Sequence, residues 1–343
     1  VTDELLYEYS GVLHVHTVWS DGSGNLMDIV EAARVAEASF VVITDHSTLA
    51  LKRRGEEGWY DGVLVLVGEE VTNSEEHCLS LGVSQRIPAH LDTHDIVEEI
   101  ARQDGLSFIV HPHGRYRLLV RFRDLSWTAW SSEKFTGMEI WSYMFDWVSR
   151  VHYATMPYYL VFPDRAIRGP FVETLAKWDE LNSKRLVVGI GGVDAHARRI
   201  GPFVSMSYAS LFRTVRTHVL LEDALQGMLD ADSAAIYGAL AAGRCFIAYE
   251  KHVLATGFRF AAKTHDGWAQ MGDRLVCRDE VEFVATVPAT GRLRLLRDGR
   301  VVSETTGEEL VCRACTPGVY RVEAEHDGRP WIYSNPITLL GAR

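Results

Sequence analysis

A series of short apolar runs, each carrying a histidine or a carboxylate, constrains this chain more than any other feature. They are "GVLHVHT" (11–17), "FVVITDH" (40–46), "VLVLVGEEVT" (63–72), "HCLSLGV" (77–83), "SFIVHPH" (107–113), "GMEIWSY" (137–143), "RLVVGIGGVDAH" (185–196) and "RTHVLLE" (216–222). Helical patterns lie between them. "NLMDIVEAARVAEA" puts Leu26, Ile29, Val30 and Ala33 on one face, and "THDIVEEIARQDG" repeats the pattern with Ile96, Val97 and Ile100 behind an expected Thr93 cap. "DSAAIYGALAAGR" is expected to start at Asp232 or Ser233 and to stop at Gly243. Strand–helix alternation with near-continuous Val/Ile strands predicts a parallel sheet covered by helices. About seven such repeats predict a closed or nearly closed barrel.

After about residue 250 the period changes to two. "EVEFVATV", "GRLRLLRDGRVVSET" and "GVYRVEAEHDGRPWIYS" alternate apolar and polar residues, with Asp298-Gly299 and Asp327-Gly328 as hairpin turns. The expected organisation is an α/β barrel over 1–250, interrupted by an aromatic and basic insertion at about 114–170. A small all-β domain of immunoglobulin-like sandwich type follows over 251–343. The insertion carries Trp127, Trp130, Trp141, Trp147, Arg115, Arg117, Arg121 and Arg123.

The bulk numbers exclude some functions. A net charge of -11 over 343 residues argues against a surface that grips the phosphates of duplex nucleic acid. No apolar run has the length of a membrane span, and the opening "VTDELLYEYS" is not leader-like. With five Cys in no dense pattern, this predicts a cytoplasmic chain without a disulfide framework. The lone C-x-x-C of Cys312 and Cys315 lacks the second ligand pair of a zinc site.

The positions of the polar residues carry the chemistry. His14 and His16, two apart, share one face of a strand. His46, Glu70, His111, Asp194 and His196 end other strands, His77 opens one, and Glu139 lies within another. In a parallel barrel such ends open on one mouth. Imidazoles and carboxylates without Cys suit Mn, Fe or Zn. Their number exceeds the three or four ligands that one ion takes, which predicts two to three divalent ions. No nucleophile elbow or phosphate-binding loop occurs.

With "HVHTVWSDG", "TDH", "GEEVT", "HPHG" and "GVDAH" in this order, the chain resembles the PHP (polymerase and histidinol phosphatase) family. The ending "PWIYSNPI" makes it most similar to the two-domain CehA/McbA-like bacterial branch. The resemblance implies a distorted seven-stranded (βα) barrel with a trinuclear metal site. It implies His14, His16, Glu70 and Asp194 around a first ion and a metal-bridged hydroxide. Glu70, His77 and His111 would hold a second ion, and Asp21, His46 and His196 a third. Two glutamates compete in "GEEVT"; the family pattern selects Glu70 over Glu69. His113, Arg115, Asp45 and Glu139 are placed behind the ligands or beside the substrate. The expected activity is metal-dependent hydrolysis of a small phosphorylated or nucleotide-like substrate. A carbamate, amide or carboxylic-ester hydrolase is the alternative, and a metal-bearing binding module a second one.

Overall fold

The strand Tyr7–Val15 lies parallel to Phe40–Ile43, which lies parallel to Val63–Val67. In this computed structural model the described residues are 6–73, 76–118, 121–197, 199–200, 203–204, 206–265, 267–277 and 280–341. Both faces of the three strands are buried where they pair, so they read as unbroken apolar runs. Alternation sends Val12, Val41 and Val65 to a core shared with Ile29, Val30 and Ala33 of the helix Leu26–Val35. It sends Leu13, Val42 and Leu66 to a second core, where Leu79, Phe108 and Ile190 meet them. The Leu26–Val35 helix starts in a capping box of Asn25 and Asp28. The helix Thr93–Arg102 is capped by Asp92 rather than by Thr93, whose hydroxyl instead donates to Glu76. The helix Leu229–Ala242 begins a turn before the expected cap. Asp232 accepts from the backbone N–H groups of Gln226 and Met228, and Gly243 ends the helix at φ 71°.

Hydrogen bonding divides the strands of the expected distorted, closed or nearly closed barrel between two ladders instead of one continuous ring. Five strands form a separate sheet in the order Val188–Gly192, Gly137–Ser142, Leu106–Ile109, His77–Leu81, Glu69–Thr72. Two seams join it to the first sheet. At one, Val193 and Ala195 donate to the carbonyls of Leu13 and His14, at 3.0 and 3.1 Å. At the other, the chain bends at Gly68, whose N–H donates to Ile43 O at 2.8 Å. A Cβ there would lie 2.5 Å from Ser80 O, so only glycine permits the bend. Left-handed backbone at His14 (φ 65°) and Asp194 (φ 51°) coincides with the break in the ladder.

The arrangement is also mixed rather than all-parallel. His77–Leu81 runs antiparallel to both neighbours, because the short link from Thr72 permits a hairpin and not a crossover. The stretch 114–170 is not one insertion: Gly137–Ser142, within it, is an inner strand of the second sheet.

The all-β tail packs around Phe260, Phe283, Leu295, Tyr320 and Trp331. Both expected hairpin turns form, with left-handed pairs at Asp298-Gly299 and Asp327-Gly328. Hydrogen bonding among the described residues does not divide the tail into two separate sheets. The long strand Val281–Arg297 breaks register between Thr286 and Gly291 and pairs Arg259–Thr264 on one stretch and Gly318–His326 on the other. Cys245–Tyr249 pairs both Val215–Leu221 and Arg329–Ser334, so one ladder runs from the first half into the tail. Among the described residues no helix is long and apolar enough to cross a membrane.

Candidate metal centre

All nine residues expected as metal ligands converge where the strands of the two sheets end. His77 opens its strand rather than ending it, and the antiparallel direction of that strand brings it to the same mouth. Glu70 stands at the centre. Its Oε2 lies 3.3 Å from His14 Nε2, 3.2 Å from His16 Nε2 and 3.0 Å from His46 Nδ1. Its Oε1 lies 2.7 Å from His77 Nδ1 and 3.3 Å from His111 Nε2. Asp194 Oδ1 is 3.4 Å from His14 Nε2 and 3.3 Å from His16 Nε2. Asp21 Oδ1 is 2.9 Å from His196 Nε2 and 3.5 Å from His46 Nε2.

Three sets of groups lie close enough to hold an ion: His14, His16 and Glu70; Glu70, His77 and His111; and His16, Asp21, His46 and His196. They overlap the expected partition, but His16 also belongs to the third set and Asp194 to none of the three.

The groups around the ligands explain the rest of the motif. Asp45 accepts from Thr17 N at 2.7 Å, Thr17 Oγ1 at 2.6 Å and Ser20 Oγ at 2.5 Å, and so builds the turn that carries Asp21. Glu139 receives His14 Nδ1 at 3.0 Å and the N–H of His111 at 2.9 Å. With Nε2 facing the carboxylates, His14 donates through Nδ1. Glu69 points elsewhere: it is buried and accepts from Ile87 N at 2.6 Å. His113 pairs with Thr174 Oγ1 at 2.9 Å and stacks on Trp130, outside the three sets. Arg115 is exposed and ion-paired with Asp124 at 3.3 Å, also outside them.

Three contributors were not foreseen. Phe145 stacks on His111 with ring centroids 4.0 Å apart. Thr72 Oγ1 lies 2.8 Å from His46 Nδ1. Tyr208 binds the backbone behind His16 and His196. Nothing in the sequence marks an aromatic residue in a helix as a partner of a distant histidine.

The electrostatics are those of a cation site. Burial by itself lowers the pKa of His14, but Glu70, Asp194 and Glu139 outweigh it and raise the imidazole well above its usual value. Burial raises Glu70, yet the surrounding imidazoles, His77 and His14 foremost, hold it well below the carboxylate range. Asp21 and Asp194 are depressed in the same way by their histidines. His111 moves down, because burial dominates there.

His14 Nε2, both ring nitrogens of His16, Glu70 Oε2 and His111 Nδ1 are buried without a well-directed hydrogen bond. Such atoms cost about 1–3 kcal/mol each when left unsatisfied. Left-handed φ at His14, His111 and Asp194 adds backbone strain at the same place. These residues therefore fit divalent cations: they are hard and borderline donors, they converge, and several of their buried atoms lack a well-directed hydrogen bond.

No protein-family model matches the chain. Two curated, uncharacterized proteins of Methanocaldococcus jannaschii are similar to it. One is 28% identical over 114 residues, 29% of this chain and 66% of that protein. The other is 26% identical over 115 residues, 33% of this chain and 44% of that protein. The chain thus spans less than two thirds of either relative. Among solved structures, it resembles a two-domain protein from Bacteroides vulgatus that contains a predicted PHP-like metal-dependent phosphoesterase. Identity is 13%, coverage 98% of this chain and 97% of that one, and the TM-score 0.46. A candidate metal-dependent phosphoesterase from Bifidobacterium adolescentis is 14% identical, covers 57% of this chain and 92% of its own, and has a TM-score of 0.34. An amidohydrolase from Chromobacterium violaceum, with bound sulfate and no metal, is 13% identical over 57% of this chain and 89% of its own, at a TM-score of 0.27. The solved structures that this chain resembles thus include PHP-like metal-dependent phosphoesterases, one of them a two-domain protein.

Proposed function

We propose that this chain is a two-domain, PHP-type hydrolase that cleaves a phosphoester of a small molecule with two to three divalent ions. The observation that carries the reading is the convergence of six imidazoles on three carboxylates, Glu70, Asp21 and Asp194, with several of their buried polar atoms lacking a well-directed hydrogen bond. Such ions supply Lewis-acid charge and make water a nucleophile near neutral pH.

The residues of the chain do the positioning. His14, His16, Glu70 and Asp194 would hold one ion, with Glu70 shared by a second held by His77 and His111. Asp21, His46 and His196 would hold the third. Glu139 fixes the tautomer of His14, so that Nε2 faces the centre. Cations that these residues hold would meet the charge on a phosphoryl group. Three adjacent ligand sets suit the three non-bridging oxygens of a phosphoryl group better than the single carbonyl oxygen of an ester.

The test begins with elemental analysis of untagged protein purified without chelator. Two to three equivalents of transition metal, falling sharply in His16→Ala, support the centre. Less than half an equivalent, not restored by Mn, Fe or Zn, overturns it. With loaded protein, hydrolysis of p-nitrophenyl phosphate in preference to p-nitrophenyl acetate supports the phosphoester reading. The reverse preference moves the chemistry to carbon.

A further inference from the structure

Asp21 is the most exposed of the nine expected ligands and sits on a turn rather than on a strand. Its carboxylate can take part in the set with His16, His46 and His196 only if that turn is held. Its base is held locally by Asp45, as described. Its far end is held by groups from distant sequence, the hydroxyl of Tyr208 among them. Tyr208 Oη donates to His16 O at 2.7 Å, with His196 O 3.1 Å away. The same oxygen accepts from Ser23 N at 3.1 Å and Gly24 N at 3.2 Å. One phenol therefore ties the backbone of His16, the end of the Asp21 turn and the backbone of His196 together. Around it, Ser23 N donates to His196 O at 3.0 Å and Ser23 Oγ to Ala197 O at 2.8 Å.

The fit leaves no slack. A Cβ on Gly24 would lie 2.6 Å from the Tyr208 ring, and one on Gly22 would lie 2.2 Å from His16 O. The helix Tyr208–Leu211 that presents the phenol is itself capped by Ser207, which accepts from Ser210 N.

We propose that Tyr208 is a positioning residue for the metal set of Asp21, His46 and His196. Its hydroxyl sets the distance between Asp21 and His196 and so, above all, the affinity of that set; it also touches the backbone of His16, which borders the set with His14 and Glu70, but no residue of the set Glu70, His77 and His111. The inference rests on the metal-centre reading above and assigns a residue that the ligand motifs do not include.

Isothermal titration of metal-free protein with Mn²⁺ alone tests it in wild type, Tyr208→Phe and Gly24→Ala. Loss of a hydrogen bond that orients a ligand costs about 10–100-fold in metal affinity. The expected result is that loss for one equivalent in Tyr208→Phe, with the remaining affinities and the thermal midpoint of the metal-free protein little changed. Gly24→Ala, which pushes the turn off the ring, should weaken the same equivalent. Three equivalents at wild-type affinity in Tyr208→Phe overturn the inference and leave the metal centre standing. Uniform weakening of every equivalent overturns it too, since that is the mark of a general structural role. A wild-type chain that binds no Mn²⁺ overturns the metal-centre reading and this inference with it.

Discussion

Glu139 shows what a single side chain does here. Its two oxygens are divided between His14 Nδ1 and the backbone N–H of His111, two donors on different strands. Gln at this position can accept on one side only and presents an N–H₂ group to the other donor. Glu139→Gln is expected to lower metal affinity about 10–100-fold without unfolding the chain, read by Mn²⁺ titration beside circular dichroism. Unchanged affinity would mean that the carboxylate does not orient His14. At this scale much was legible. The family pattern selects Glu70 over Glu69, strand alternation then points Glu69 the other way, and the structure turns Glu69 toward Ile87. Glu139 and Asp45 were expected behind the ligands or beside the substrate, but their partners were not legible, because each lies more than 25 residues away, His14 for one and Thr17 for the other.

Single elements are tied together by a second buried charge cluster that takes no part in the metal centre. His218, fully buried on the strand Val215–Leu221, places Nδ1 2.8 Å from Glu8 Oε1 and Nε2 3.2 Å from Glu250 Oε1. Arg259 pairs with Glu8 at 2.5 Å and Arg216 with Glu250 at 3.2 Å. Burial disfavours the imidazolium, but the two carboxylates outweigh it and raise the pKa of His218 above 6.5. A raised histidine stabilises the fold fully below its unfolded value and loses that contribution as pH climbs through the folded one. Glu8 and Glu250 are lowered, so their contribution is present above about pH 4.5 and fades as pH falls through their folded values. Stability measured by denaturant should therefore decline as pH rises above 6.5. His218→Gln should flatten that decline and cost about 1–3 kcal/mol at pH 6, because it takes one buried partner from each carboxylate and leaves each with its arginine. A decline of the same slope in the variant would assign it elsewhere. The element types and both tail hairpins were legible, since periodicity and Asp-Gly turns are local signals. The Asp92 cap and the early start of Leu229–Ala242 were not, because Thr93 and Asp232 bond to groups outside their own helical turns.

At the scale of the whole molecule, the two halves share more than a linker. Asn335 of the tail accepts from Gly189 N at 2.7 Å and donates to Gly189 O at 2.9 Å. Arg321, buried on the strand Gly318–His326, makes a two-pronged pair with Asp179 of the helix Val172–Asn182, at 2.6 and 2.9 Å. It also pairs with Glu323 at 2.6 Å and lies over the Trp178 ring. One ladder crosses between the halves. Calorimetry of the metal-free chain should show a single transition, and Arg321→Met should move it down as one, by about 3–5 kcal/mol of stability. Two resolved transitions in the wild type would show that the halves unfold independently. By itself, the sequence determined that strands alternate with helices, that a β-rich tail follows, and which histidines and carboxylates can meet. Those follow from periodicity and from residue chemistry, both local. Only the tertiary structure decided that the strands split into two sheets at Gly68 and beside His14. It also decided that His77 arrives on an antiparallel strand and that Tyr208 and Glu139 stand behind the ligands. Each of these turns on which backbone groups find partners across long stretches of chain, and local pattern does not encode that.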